Sequence, residues 1–242
     1  MKKIFITLAV LVLAFSSFAL AAKPVLRVGT DATYAPFETI DESGKYVGFD
    51  MEFIQMVADQ MGMTLEMHNI GWDGIIPGLN NGNYDCLISA MTITSERKKS
   101  IDFSIPYFSI RQAIVVKQGN NKIKGPKDLI GKTVAVQNGT TGDLYASKIK
   151  NIKMKRFDAN PQAVQELLNN NADAAVMDDM VAFHAVKTNK GLKVIEIKKV
   201  DKEDYGIGIK KGNDALVNKI NKAIKALKKN GKLDALVKKY KS

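Results

Sequence analysis

Leu79-Asn80-Asn81-Gly82-Asn83-Tyr84-Asp85-Cys86-Leu87-Ile88 is the stretch that decides the fold, because a second stretch repeats its plan. That second stretch is Leu168-Asn169-Asn170-Asn171-Ala172-Asp173-Ala174-Ala175-Val176. Each reads as a helix end, an Asn-rich turn, an aspartate and a short apolar strand. The first strand delivers Ser89 and Thr92 at its far end, and the second delivers Asp178. The repeat fits two similar α/β lobes that face each other across a cleft.

Outward from these stretches, periodicity alternates between strands and helices. The first series predicts a strand over 25–30 and a helix over 50–60, with Asp50 as N-cap and Gly62 as the stop. A strand over 64–68, a helix over 72–79, a buried strand over 86–88, a helical turn over 94–99 and a strand over 112–117 follow. The second series predicts strands over 133–136, 153–157, 172–177 and 192–197, with helices over 126–130, 140–150, 161–169 and 178–187 between them. A final strand over 205–209 precedes helices over 214–229 and 233–239. Such alternation predicts an α/β protein with parallel sheets and helices on both faces.

In an open α/β sheet, ligands bind outside the carboxyl ends of the strands. Polar and aromatic residues stand at those ends here. Asp31 and Tyr34 follow the first strand, Ser89, Thr92 and Arg97 follow the third, and Gln137, Thr140 and Thr141 follow 133–136. A guanidinium offers a rigid two-pronged fork for a carboxylate. In Gly139-Thr140-Thr141-Gly142 a helix start presents free N–H groups to an anion. Asp178 and Asp179 open a helix, where acids commonly cap, but one of them can instead receive an ammonium. Tyr34 and Trp72, the sole tryptophan, supply aromatic faces for an aliphatic stem or a cationic head. A carboxylate, a guanidinium and aromatic faces together suit a free amino acid.

The ends and composition bound the setting. Residues 1–21 have a basic start (Lys2, Lys3), an apolar run and the small-x-small site Ala19-Leu20-Ala21, which predicts a cleaved signal peptide. The apolar run falls short of the roughly 20 residues a membrane span needs, so no membrane anchor is expected. Ala22 and Lys23 stand where a lipidated precursor would have cysteine, so a free periplasmic protein is expected. Cys86, the one cysteine, cannot form an internal disulfide and reads as a buried strand residue. The net charge of +11 falls to about +9 without Lys2 and Lys3. Much of it lies in an amphipathic helix where Lys219, Lys222, Lys225, Lys228 and Lys229 interleave with Ile220, Ala223, Ile224 and Leu227. No nucleic-acid motif or aromatic platform accompanies that charge, so it reads as a solvated face and no nucleic-acid partner is expected. His68 and His184 lack ligand spacing, so neither metal nor cofactor is expected.

The order of these pieces resembles the periplasmic amino-acid-binding proteins of ABC importers, the solute-binding protein family 3. The stretches that carry the resemblance are 29–38 (GTDATYAPFE), 46–50 (YVGFD), 72–79 (WDGIIPGL), 91–104 (MTITSERKKSIDFS) and 136–141 (VQNGTT). They point to the polar branch, which includes the glutamine-binding, lysine/arginine/ornithine-binding and histidine-binding proteins. The resemblance implies a two-lobed type II fold, each lobe a mainly parallel sheet flanked by helices, joined by two hinge strands. It places lobe 1 at 23–106 plus 207–242, lobe 2 at 112–201, and the hinges at 107–111 and 202–206. It implies that Arg97 clamps the ligand carboxylate with Thr92 and the Thr141 backbone. Asp178 would take the α-ammonium near Ser89 and Ala90, Tyr34 and Trp72 would sandwich the side chain, and Asp31 would meet its distal end. A monomer that delivers its ligand to a membrane permease is the implied partner arrangement.

Departures from the pattern bear on specificity. Glutamine-binding members carry Lys at the position of Gln137 and His at that of Met177. A lysine there would repel a cationic ligand, and its absence, with Asp31 and Glu38 near the end of the first strand and the Gly-Thr-Thr pattern of the basic-amino-acid binders, favours arginine, lysine or histidine over glutamine. Ala90 stands where some basic-ligand binders have Ser. Two alternatives stay open. One is a dehydratase of the same fold acting on a prephenate-like acid, with Asp178 or Asp179 as general acid. The other is a chemoreceptor, sensor kinase or host surface as the partner that reads the ligand-bound form.

Overall fold

In the computed structural model, which describes residues 23–241, both Asn-rich turns end on an aspartate with the same task. Asp85 Oδ2 accepts the Arg27 N–H at 2.9 Å, and Asp173 Oδ2 accepts the Thr133 N–H at 2.8 Å. Each ties the strand that follows the turn to the start of the parallel strand beside it, satisfying a backbone donor that would otherwise be orphaned. The segment over 1–21, expected to be a signal peptide, lies outside the described residues.

The first series runs β1 (Val25–Thr30), β2 (Thr33–Tyr34), β3 (Glu38–Ile40), β4 (Tyr46–Val47), α1 (Phe49–Met61), β5 (Thr64–Asn69) and α2 (Trp72–Asn80). It continues with β6 (Cys86–Leu87), the short α3 (Arg97–Ser100) and β7 (Ile101–Phe103). After β8 (Phe108–Ile110) the second series comprises β9 (Gln112–Lys117), a 3-10 turn at Pro126–Leu129, β10 (Thr133–Gln137), α4 (Thr141–Ser147) and β11 (Lys153–Phe157). It ends with α5 (Asn160–Leu168), β12 (Ala174–Asp178), α6 (Asp179–Thr188) and β13 (Leu192–Glu196). The chain returns through β14 (Glu203–Tyr205) and β15 (Gly208–Lys210) to α7 (Asp214–Lys229) and α8 (Lys232–Lys241).

The two five-stranded sheets share one plan. Their orders are β5-β1-β6-β15-β7 and β11-β10-β12-β9-β13. In each, four strands point one way and the fourth in spatial order opposes them: β15 is antiparallel to β6 and β7, and β9 to β12 and β13. Sheets flanked by helices in two lobes give the type II arrangement. The segments crossing between lobes pair with each other, β8 against β14, with Phe108 opposite Tyr205. Rings gather beneath this ribbon: Phe37 meets Phe108 and Tyr205 edge-on, each at 5.1 Å between centroids.

Helix starts show where sequence and structure part. Helix α1 begins at Phe49, so Asp50 is not its N-cap. The first N–H groups are already taken, Phe49 by the Pro36 carbonyl and Asp50 by that of Phe37, so no capping side chain is needed. Gly48 precedes the helix at φ 128°, and a Cβ there would sit 2.2 Å from the Phe37 carbonyl oxygen. Asp50 instead turns inward and is wholly buried. Gly62 stops the helix in the left-handed conformation, as the sequence predicts. The strand expected over 205–209 is two strands. Tyr205 pairs with Phe108 in the ribbon while Gly208 pairs with Leu87 in the first sheet, because the chain changes partners at Gly206. Helix α4 ends at Ser147, earlier than expected. The lysines of α7 face outward, and Ile220, Ala223, Ile224 and Leu227 are buried. No helix among the described residues is long and apolar enough to cross a membrane.

Candidate functional site

The turns that leave β1, β6, β10 and β12 converge between the lobes and line one narrow cleft. All eleven residues singled out from the sequence line it: Asp31, Tyr34, Trp72, Ser89, Ala90, Thr92 and Arg97 from the first lobe, and Gln137, Thr140, Thr141 and Asp178 from the second. Glu38 lines it as well.

Arg97 is held in place by backbone oxygens. Its Nη1 donates to the Thr92 carbonyl at 2.8 Å, and its Nη2 reaches across to Gly139 at 3.3 Å. Its guanidinium carbon stands 5.1 Å from the Trp72 ring centroid, a cation–π arrangement that fixes the plane of the fork. Thr92 Oγ1 lies 3.4 Å from Thr141 Oγ1 of the other lobe. Thr140 caps α4, its hydroxyl accepting from the Asp143 N–H at 3.2 Å. One N–H of this turn is already used: that of Gly139 donates to Asp143 Oδ2.

Asp178 makes no capping bond, although it stands immediately before α6. The Asp179 N–H is taken by the Arg111 carbonyl, which frees the Asp178 carboxylate for the cleft. Asp178 Oδ2 accepts from the Tyr34 hydroxyl at 2.8 Å and from the Tyr205 hydroxyl; Oδ1 accepts from Gln112 Nε2 at 2.6 Å. Burial pushes its pKa up to about 6, against the pull of these donors. Asp31, also buried, accepts from Thr33 Oγ1 at 2.9 Å and from Gln137 Nε2 at 3.3 Å. Burial raises its pKa too, opposed by those two hydrogen bonds. Ser89 Oγ accepts the Asp31 N–H and donates to Glu38 Oε1, both at 3.0 Å. Ala90 has a positive φ of 44°, a rare backbone state for a non-glycine residue. Asp50 stabilises it by accepting the Ala90 N–H at 2.7 Å.

Three contributors to this network went unnamed among the site residues. Gln112 bridges Asp178, Thr141 and Glu203 through one amide nitrogen. Glu203, on the ribbon, also accepts from Thr92. The sequence marks Tyr205 as a strand and hinge residue only. A glutamine at a strand start and an acid before a tyrosine carry no chemical signature of their own; only the crossing of the two segments brings them to the cleft.

The cavity therefore sets a guanidinium among three buried acids, Asp31, Glu38 and Asp178. A zwitterion can satisfy Arg97 and Asp178, and Asp31 remains for a polar or positive tail.

Comparisons with known proteins agree with this architecture. Residues 26–242 match the family model described as bacterial extracellular solute-binding proteins, family 3. A probable histidine-binding protein of Neisseria gonorrhoeae is 37% identical over 228 residues, covering 91% of this chain and 85% of the relative. An ancestral arginine-binding protein, solved once with arginine and once with glutamine, matches with TM-score 0.86 at 45% identity, covering 90% of this chain and 98% of that one. The ancestral amino acid-binding protein AncCDT-1, a precursor of cyclohexadienyl dehydratase, matches with TM-score 0.85 at 41% identity, over 89% of this chain and 95% of that one. With the family model spanning both lobes and the ribbon between them, the chain belongs to family 3 of the bacterial extracellular solute-binding proteins.

Proposed function

We propose that this protein captures a basic L-amino acid of the arginine, lysine or histidine type in the periplasm and delivers it to the membrane permease of an ABC importer. The observation that carries this reading is the pair of buried carboxylates, Asp31 and Asp178, that bracket one cavity with a single guanidinium, Arg97. In the proposed binding mode Arg97 and Thr92, with the Thr141 backbone, hold the carboxylate. Asp178 receives the α-ammonium beside Ser89 and Ala90. Tyr34 and Trp72 flank the stem, and Asp31 meets the cationic end, with Gln137 and Thr140 closing the wall.

Segments 107–111 and 202–206 act as hinges between lobe 1 (23–106 plus 207–242) and lobe 2 (112–201). A ligand that touches both lobes stabilises the closed form by its differential affinity. We further infer a free monomer, exported by a cleaved signal peptide and not lipidated. A glutamine ligand is the second reading, supported by the ancestral relative solved with either amino acid. The protein is proposed as a receptor and not as an enzyme: Asp178 accepts three hydrogen bonds, which suits a carboxylate held ready for a cation rather than an acid poised to donate.

A thermal-shift screen against the twenty amino acids, ornithine and prephenate tests this, since a bound ligand raises apparent stability with its concentration. Shifts confined to arginine, lysine, ornithine or histidine are expected. A shift with glutamine alone would replace the ligand, and a response to prephenate alone would replace the function.

A further inference from the structure

Two buried oxygens below the cavity have no hydrogen-bond partner among the described residues: Glu38 Oε2 and Asp50 Oδ1. Both residues are wholly buried. Their other oxygens are committed, Glu38 Oε1 to Ser89 Oγ, and Asp50 Oδ2 to the Ala90 N–H and to the Tyr107 hydroxyl at 2.8 Å. The two carboxyl groups lie within hydrogen-bond reach of each other. Two ionised carboxylates in contact in a dry interior would repel, and each would keep an orphaned oxygen. A proton on one of them gives it a donor and gives its partner something to accept. The cluster thus has a place for a proton and a wall facing the cavity, because Glu38 is also part of the lining.

We propose that Glu38 and Asp50 form a proton-sharing pair that senses charge in the cavity: it gives up a proton when a cationic side chain enters and keeps it when a neutral one does. The proposal rests on the amino-acid-binding reading above and concerns its selectivity. The titratable groups facing the pair are Asp31 beyond β1, Tyr34 on β2, Tyr107 before β8 and Tyr240 on α8. All of these are acids or phenols, so a positive ligand tail would bring a charge of the opposite kind. Burial pushes Asp50 up to about 7 and Glu38 well above the usual carboxylate range. Below about pH 7, where Asp50 titrates, and with Glu38 held above the usual carboxylate range, the empty site carries protons on both carboxyls. When a guanidinium or ammonium enters, one proton leaves to solvent, and the other stays between Glu38 and Asp50. The pair passes from neutral to singly negative, and the ligand supplies the matching positive charge.

Calorimetric titration with L-arginine and L-citrulline over about pH 5.5 to 8, in buffers of different ionisation heat, tests this. The two ligands share the zwitterionic end, so the ratio of their affinities isolates the tail from Arg97 and Asp178. Asp31 also meets the tail, and the variant Asp50→Asn separates its effect. The new amide would donate to Glu38 Oε2 and keep its oxygen for Ala90 and Tyr107, leaving no shared proton. The expected result is an arginine preference that grows about tenfold between pH 5.5 and 7.5 in the parent and less than about threefold in Asp50→Asn. Release of up to one proton per arginine, and none per citrulline, should accompany it. Glu38→Gln removes the same proton from the other side and serves if Asp50→Asn does not fold. A preference that ignores pH, or that grows equally in parent and variant, would overturn the proposal. No heat with either ligand at any pH would instead overturn the amino-acid reading beneath it.

Discussion

The Tyr34 hydroxyl, on the first lobe, donates a 2.8 Å hydrogen bond to Asp178 Oδ2 on the second. The ribbon's Tyr205 donates to the same oxygen. Asp178 thus sits buried with only neutral donors in direct contact, while the charge of Arg97 acts on it through space from elsewhere in the lining. Neutral dipoles offset part of the desolvation of a buried carboxylate, and a cation offsets more. In the proposed binding mode a positive group completes this site.

Tyr34→Phe keeps the ring beside the cavity and deletes the cross-lobe bond. Amino-acid affinity should fall by about 1 kcal/mol, roughly fivefold. Calorimetry reads the affinity, and small-angle scattering should register a larger open fraction without ligand.

Arg97→Lys keeps the charge and loses the fork. The ammonium cannot hold Thr92 and Gly139 and grip a carboxylate in two places. A loss of about 2–4 kcal/mol in binding is expected, with little change in thermal stability of the ligand-free protein.

Asp178→Asn should raise stability and abolish binding. In the folded protein Asp178 titrates at about 6, whereas in the unfolded chain an aspartate titrates near 3.9. Between those values the folded state holds more protons than the unfolded state, so stability falls as pH rises through that window and stays lower above it. Asparagine removes this penalty. The new side-chain oxygen can keep accepting from Tyr34 and Tyr205, and Gln112 can turn its unpartnered Oε1 toward the new amide, giving up its contact with Glu203. The variant's Tm should match the parent's at about pH 4 and exceed it by several degrees above about pH 6, at roughly 2–4 °C per kcal/mol. A melting series in pH without ligand checks this.

Gly48→Ala should be severely destabilising. Its φ of 128° and the 2.2 Å approach of a Cβ to the Phe37 carbonyl leave no room for a side chain. A loss above about 3 kcal/mol in urea unfolding is expected, because the shift needed would pull α1 off the carbonyls that cap it.

Much of the fold was legible because both lobes use strong local signals. The Asn-rich turns, each with an aspartate at its end, marked equivalent places in the two sheets, and Asp85 and Asp173 do equivalent things there. The placement of residues around the cavity was legible for a topological reason: ligand-facing groups of an α/β sheet follow the strands that carry them. Asp50 was misread because an acid before an apolar run has the same sequence appearance whether it caps a helix or turns inward. What distinguishes the two is the Pro36–Phe37 backbone, a tertiary contact. The broken strand at Gly206 was hidden for a similar reason, since both halves have strand propensity and only the change of sheet divides them. Gln112 and Glu203 belong to the site through the crossing of two distant segments, which no local pattern encodes.

The most direct test of the central claim is side-by-side calorimetry of the protein and its Gln137→Lys variant with L-arginine and L-glutamine. Gln137 Nε2 lies 3.3 Å from Asp31 Oδ2, so a lysine there would offer Asp31 an internal cation. The account predicts that the parent binds arginine at least about tenfold tighter than glutamine, a difference of about 1.4 kcal/mol, and that the variant narrows or reverses the preference. Equal or tighter binding of glutamine by the parent would contradict the assignment of Asp31 as the partner of a cationic tail.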